Sequence, residues 1–242
     1  MKLDLLAFGV HPDDVELGCG GVLLSEKSKG KFTGIADLTQ GELGTRGTAE
    51  TRKQEAANAA KILGVDVRVN LGLADGFFSN DEPAQRKVIE VIREFRPEII
   101  ICNAPEDRHP DHGRSASLVS DAAFLAGLAK IETEKDGRKQ EHWRPKYIFH
   151  FIQDRYLNPD FVVDISETFD KKLEAVEAYK TQFYNPELNE PQTYISSPQF
   201  LASIIARAAM LGKMIGVKYA EGFISKKMIG IRDLDALVQI DT

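Results

Sequence analysis

Leu3-Asp4-Leu5-Leu6-Ala7-Phe8-Gly9-Val10-His11-Pro12-Asp13-Asp14 is an apolar run that breaks into a turn carrying one imidazole and two carboxylates. A near copy of that turn, His109-Pro110-Asp111-His112, lies just downstream of a second apolar run, Glu98-Ile99-Ile100-Ile101-Cys102. Short continuous apolar runs of this kind read as strands buried on both faces, as in a parallel sheet. Side chains just beyond the carboxyl ends of such strands gather at the ligand crevice of an open α/β sheet. One His-Pro-Asp alone reads as a loop with an N-capping aspartate. Two of them, each after a strand, predict a divided metal site.

Outward from these turns the chain alternates strand and helix. Residues 3–10, 32–38, 66–71 and 98–102 read as strands. Helices are expected over 15–29, opened by Asp13 or Asp14 as cap, over 49–63 stopped by Gly64, over 84–95 and over 115–128. Residues 132–144 are polar and read as an exposed excursion, whereas 146–152 and 161–165 alternate like strands. Helical spacing returns over 166–183, and 198–215 is apolar enough for a buried or interface helix. The pattern predicts an α/β fold: a doubly wound, mostly parallel sheet with helices on both faces, Rossmann-like in outline. It is read as a single domain over 1–242, with 1–130 carrying both metal turns and 145–242 completing and capping the sheet.

Bulk properties narrow the partners. A chain of 242 residues can bury a full core. A net charge of −6 argues against nucleic acid. No apolar run approaches the roughly 20 residues that span a bilayer, and the first residues lack a signal-peptide pattern. Cys19 and Cys102 lie beside glycines and inside an apolar run, so they read as reduced, buried thiols. The expectation is a cytoplasmic protein with neither membrane nor nucleic-acid partner.

His11 and Asp14, three residues apart on one turn, and His112 on the other form a His-Asp-His set. Nitrogen and oxygen ligands without a thiolate make a hydrolytic zinc composition with a position left open. Fe(II) can use the same ligands. Asp13 is the candidate general base. His109, if protonated, could stabilise negative charge, and Asp111 could orient His109 or a metal-bound histidine. Spacing alone does not separate base from orienter. Glu42, Arg46, Glu50 and Arg52 cluster beside glycines, reading either as a solvated loop or as an anion-binding lid. Arg108 offers a second guanidinium beside His109. His150 reads as a core or sheet-face histidine, His142 as solvated and Cys102 as core. Gly18-Cys19-Gly20-Gly21 lacks the separated glycines of a dinucleotide fingerprint and reads as close packing of the first helix on the sheet.

The strand followed by His11-Pro12-Asp13-Asp14-Val15-Glu16-Leu17-Gly18-Cys19-Gly20-Gly21, paired with His109-Pro110-Asp111-His112, resembles the PIG-L/LmbE-like family of zinc-dependent N-acetylglucosamine deacetylases. The likeness runs to Tyr219-Ala220-Glu221-Gly222-Phe223, and Thr39 to Thr48 with Glu50 and Arg52 resembles the bacillithiol-biosynthesis branch. That branch removes acetate from N-acetylglucosaminyl-malate. The resemblance implies His11, Asp14 and His112 as ligands, Asp13 as base, and His109 as the group that stabilises or protonates the intermediate. It implies Tyr194 as an oxyanion donor, and Arg52 and Arg108, with Glu42 nearby, on the substrate side holding the malate carboxylates. It also implies a homo-oligomer, trimer or hexamer. Gln40 departs from the pattern, since a basic residue is expected there. Other readings are a deacetylase of a chitooligosaccharide or a mycothiol-type conjugate, or a sugar-binding module without activity.

Overall fold

The computed structural model describes residues 1–231 and 233–237. Four strand–helix units come first: β1 (Leu5–Gly9) and α1 (Asp14–Ser28), β2 (Thr33–Thr39) and α2 (Ala49–Leu63), β3 (Val67–Leu73) and α3 (Glu82–Phe95), β4 (Ile99–Cys102) and α4 (Pro110–Ala126). The polar excursion folds as a two-stranded hairpin, β5 (Glu134–Lys135) with β6 (Arg138–Lys139). Then come β7 (Tyr147–Phe151), β8 (Phe161–Asp164), α5 (Phe169–Glu177), α6 (Pro198–Met214) and β9 (Ala220–Ser225). Positions 232 and 238–242, within the segment expected to cap the sheet, lie outside the described residues. No helix among the described residues is long and apolar enough to cross a membrane.

The main sheet has seven strands in the order β3-β2-β1-β4-β7-β9-β8. Its first five strands are parallel, and β9 runs antiparallel between β7 and β8. Strand alternation divides the core. Leu6, Phe8 and Val10 join Ile100 and Cys102 against Val88 and Ile92 of α3 and Leu118 and Val119 of α4. Leu5 and Ala7 face the other way, onto Val15, Cys19 and Val22 of α1. Both faces are therefore covered, which is why these strands are apolar throughout rather than alternating with polar residues. Full burial of a side chain such as Phe8 contributes about 1.5–3 kcal/mol. The doubly wound, mostly parallel architecture is the one expected.

Several boundaries differ from the sequence reading. Helix α3 starts at Glu82, two residues early, because the Asp81 side chain accepts from Ala84 N (3.0 Å). Helix α4 starts at Pro110 rather than Ser115, with the His109 ring accepting from Asp111 N at 3.3 Å. His112 thus stands on a helix, not in a loop. Helix α5 covers only Phe169–Glu177 of the expected 166–183. Strand β9 is new. Its Glu221 interrupts an otherwise apolar run and has a structural reason. Helix α1 is broken at Cys19 (φ −147°), and Glu221 accepts from the amides of Gly21 (2.9 Å) and Val22 (2.8 Å). Lys172 neutralises that carboxylate at 2.6 Å and donates to the Leu17 carbonyl at 2.9 Å. The glycines of α1 serve packing, since a Cβ on Gly18 would sit 2.1 Å from Phe151 Cδ2 and one on Gly21 2.8 Å from Ile165 Cδ1.

Candidate metal centre

In the order β3-β2-β1-β4, the helices after β1 and β4 leave to opposite faces of the sheet. A crevice opens between two such strands, and it is where doubly wound folds bind ligands. The turn after β1 carries His11 to Asp14 and the turn after β4 carries His109 to His112, so both motifs meet there. Their rings are neighbours: centroids are 4.7 Å apart for His11 and His109, 5.8 Å for His11 and His112, and 5.4 Å for His109 and His112.

Asp14 sits at the centre. Its Oδ2 accepts from Val10 N, His11 N and Asn103 Nδ2, each at 3.0 Å, and its Oδ1 accepts from Gln153 Nε2 at 2.7 Å. His112 Nε2 lies 3.3 Å from Oδ1 and His11 Nδ1 lies 3.7 Å from Oδ2. Burial alone would raise this carboxyl, but the two histidines and the donated hydrogen bonds hold it well below its ordinary value. The far nitrogen of each ring is held by another carboxylate. His11 Nε2 is 3.0 Å from Asp75 Oδ1, and His112 Nδ1 is 2.7 Å from Asp107 Oδ2. Burial works against a charge on His112, yet Asp14 and Asp107 raise it to about 10.

Asp13 differs from its neighbour in every respect. Its backbone has φ 139° and ψ −25°, a conformation a residue with a Cβ rarely adopts, and its side chain caps no amide of α1. Strain of this kind costs about 1–3 kcal/mol and clusters at functional sites. The carboxylate faces Arg52, whose Nη1 donates to Asp13 Oδ2 (3.3 Å) and to the Pro12 carbonyl (3.1 Å). Burial pushes the Asp13 carboxyl up and Asp14 adds to the effect, while Arg52 opposes it; the result is about 7. His109 is held below its ordinary value by burial and by the neighbouring His11 and His112. Because its Nδ1 accepts from an amide, the neutral ring carries its proton on Nε2.

The remaining candidates are spread around the mouth of one cavity of about 330 Å³, lined by His11, Asp13, His112, Arg52, Arg108 and Tyr194 among others. Arg108 is anchored through Nε to Asp154 Oδ2 (3.0 Å) and lies 4.3 Å over the Tyr194 ring. The Tyr194 hydroxyl donates to the other oxygen of Asp154 (3.1 Å). Arg52 is buried and lines the same cavity, with Nη1 bonded to Asp13 and to the Pro12 carbonyl. Glu42 lies outside the cavity wall and staples the loop by accepting from Asp75 N (2.9 Å) and Gln40 N (3.1 Å). Asp111 Oδ2 is 4.0 Å from His11 Nε2, and its carboxylate accepts from Gly76 N (2.8 Å) and Arg114 Nη1 (2.6 Å). Asp75 and Asp107, not Asp111, make the close contacts to the two rings. Asp75 follows β3 and Asp107 follows β4, and nothing local in the sequence marks either as a ring partner.

The donor chemistry fits a divalent cation. His11, His109 and His112 each offer a ring nitrogen, and these nitrogens lie within 4.8 Å of one another; His11, Asp75 and Asp111 form a second such group. Around the rings stand the carboxylates of Asp13, Asp14, Asp75, Asp107 and Asp111. The carboxylate-to-ring hydrogen bonds are those that orient metal-binding histidines.

Comparison with known proteins finds relatives over most of the chain. The family model "PIG-L: GlcNAc-PI de-N-acetylase" matches residues 6–123. The diacetylchitobiose deacetylase of Thermococcus kodakarensis is 29% identical over 231 residues, covering 90% of this chain and 81% of that protein. The probable N-acetyl-alpha-D-glucosaminyl L-malate deacetylase 2 of Bacillus subtilis is 30% identical over 199 residues, covering 75% and 84%. Among solved structures, the conserved protein TT1542 from Thermus thermophilus superposes with a TM-score of 0.85 at 38% identity, covering 95% of this chain and 97% of that one. The two histidine turns, the fold that joins them and these relatives place the chain in the PIG-L/LmbE-like deacetylase family.

Proposed function

We propose that this chain removes the acetyl group from an N-acetylglucosamine conjugate, and that N-acetylglucosaminyl-malate is the conjugate its site accepts best. One observation carries the reading. His11, Asp14 and His112 converge in a cavity that also holds Asp13 and two guanidinium groups.

His11, Asp14 and His112 would hold a divalent ion, zinc by the character of the donors, with Fe(II) using the same set. When bound, such an ion polarises a carbonyl and lowers the pKa of a water to about 7. Asp75 and Asp107 orient the two rings, whose inward nitrogens would present lone pairs to a bound ion once it displaces their protons. Asp13, uncapped and poised near neutrality, accepts the proton of the water that attacks the acetamide carbon. The Nε2 proton of His109 faces the same space and stabilises the oxyanion as it forms. The C–N bond then breaks, the amine takes the proton that Asp13 accepted from the water, and acetate leaves. Tyr194 closes the mouth, with its hydroxyl available to the oxyanion once released from Asp154. Arg52 acts on Asp13 rather than on substrate.

Arg108 supports the acidic conjugate. Only its Nε is held, and its terminal nitrogens have no hydrogen-bond partner among the described residues, which leaves the planar edge that binds carboxylates bidentately. Arg108→Ala is expected to lower kcat/KM for the malate conjugate by about tenfold or more, with little change for diacetylchitobiose. An equal loss on both substrates, or none on either, overturns the malate assignment and leaves deacetylation standing.

A further inference from the structure

A third strand sends a side chain to Asp14. Strand β7 pairs in parallel with β4, with His150 beside Cys102, so the chain that runs on from β7 reaches the crevice shared by β1 and β4. It brings Gln153 into the cavity wall. Gln153 is buried, and its Nε2 donates to Asp14 Oδ1 at 2.7 Å, the shortest hydrogen bond that this carboxylate accepts.

The other end of the amide is left over. Gln153 Oε1 is buried and has no hydrogen-bond partner among the described residues. A buried unpaired carbonyl is costly, and an apolar side chain of the same length would avoid it. Packing alone gains nothing from an amide here, so its use lies at the donor end.

A carboxylate offers about four lone-pair sites, shared between its oxygens. On Asp14 Oδ2 they are taken by the amides of Val10 and His11 and by Asn103 Nδ2. Asn103 is itself fully buried and fixed, its Oδ1 accepting from Val10 N (3.0 Å) and Ser115 Oγ (3.2 Å). Oδ2 is thus closed to any further partner. On Oδ1 Gln153 takes one site, and the other remains, on the oxygen that has His112 Nε2 at 3.3 Å.

We propose that Gln153 is a positioning residue for the metal: it fixes Asp14 so that a divalent ion is held through Oδ1 alone, by the one lone pair left beside His112. This role rests on the reading that His11, Asp14 and His112 hold the ion. Attachment through a single oxygen also spares a coordination position, and hydrolysis requires an open one.

The test titrates the zinc-loaded full chain with a chromophoric chelator, and records the d–d absorption of the cobalt(II)-saturated chain as a readout of ligand arrangement. Gln153→Met keeps the length of the side chain and removes the donor. It is expected to hold zinc about tenfold or more weakly, with a cobalt(II) band changed in position and intensity at saturation. Gln153→Asn keeps the amide but is too short to make the 2.7 Å contact, so it is expected to behave as Gln153→Met does. A residue that merely supported the fold would leave the saturated band as it is in the unmodified protein. Unaltered zinc affinity in both variants, or an unaltered band at saturation, would overturn the role of Gln153 and leave the metal centre standing. His112→Ala is expected to lose more affinity than either variant. Zinc held equally well by His112→Ala, or not held by the unmodified chain, would overturn the ligand assignment and the role of Gln153 with it.

Discussion

Asp13 and Asp14 are adjacent carboxylates that the fold treats in opposite ways. Asp14 accepts hydrogen bonds from four protein donors and is held ionised by His112 and His11. Asp13 has only Arg52 and is raised by burial. Asp13→Asn should lower kcat by about 10²–10⁴-fold with metal content intact, because a general base is worth that much; turnover near that of the unmodified protein would remove it from the mechanism. Arg52 provides the sign test. Its positive charge lowers the Asp13 pKa, so Arg52→Gln should raise it. A base must be deprotonated to work, so the acid limb of the kcat/KM profile should move to higher pH in that variant. A limb that stays in place, or moves to lower pH, contradicts the pairing. At this scale the sequence was informative about the ligand types and the Asp13–Asp14 pair. It was silent about Asp75 and Asp107, because their value lies in which ring nitrogen they reach. That depends on strand ends far apart in sequence. For the same reason it could not tell that Arg52 would be turned inward onto Asp13.

At the scale of elements, helix α1 carries more constraint than its sequence admits. Gly18 and Gly21 let it lie against Phe151 and Ile165, and the break at Cys19 is stitched by Glu221 and Lys172. The backbone donors released at the break have to be satisfied somewhere in a buried layer. Strand β9 supplies the carboxylate, which explains why a charged residue is buried in a strand paired on both sides. Helical periodicity and strand alternation carry no information about such a partner, so β9 was missed while the four strand–helix units were not. Because α1 begins at Asp14, its seating also sets the metal turn. Gly18→Ala would drive a methyl group into the buried Phe151 ring, and overpacking of this kind costs about 1–3 kcal/mol. The urea midpoint should fall at unchanged m-value. A midpoint equal to that of the unmodified protein would mean that α1 shifts freely on the sheet.

Taken whole, the molecule places its chemistry by topology. Two histidine turns nearly a hundred residues apart meet because β1 and β4 pair in parallel, with Ala7 beside Ile101, while their helices part to opposite faces. The apolar runs and the turns after them were legible in sequence because both are local patterns. At the mouth Arg108 and Tyr194 were named from sequence, but Asp154, which holds both, was not, because the three come together from separate loops. The central claim is hydrolysis of an N-acetylglucosamine amide at the β1/β4 crevice. Its most direct test is acetate release by the metal-loaded protein from N-acetylglucosaminyl-malate, diacetylchitobiose and N-acetylglucosamine, each with and without chelator. Chelator-sensitive acetate release, greatest from the malate conjugate, is the expected result. Absence of acetate from all three with metal bound, or release that persists undiminished under chelation, would contradict it.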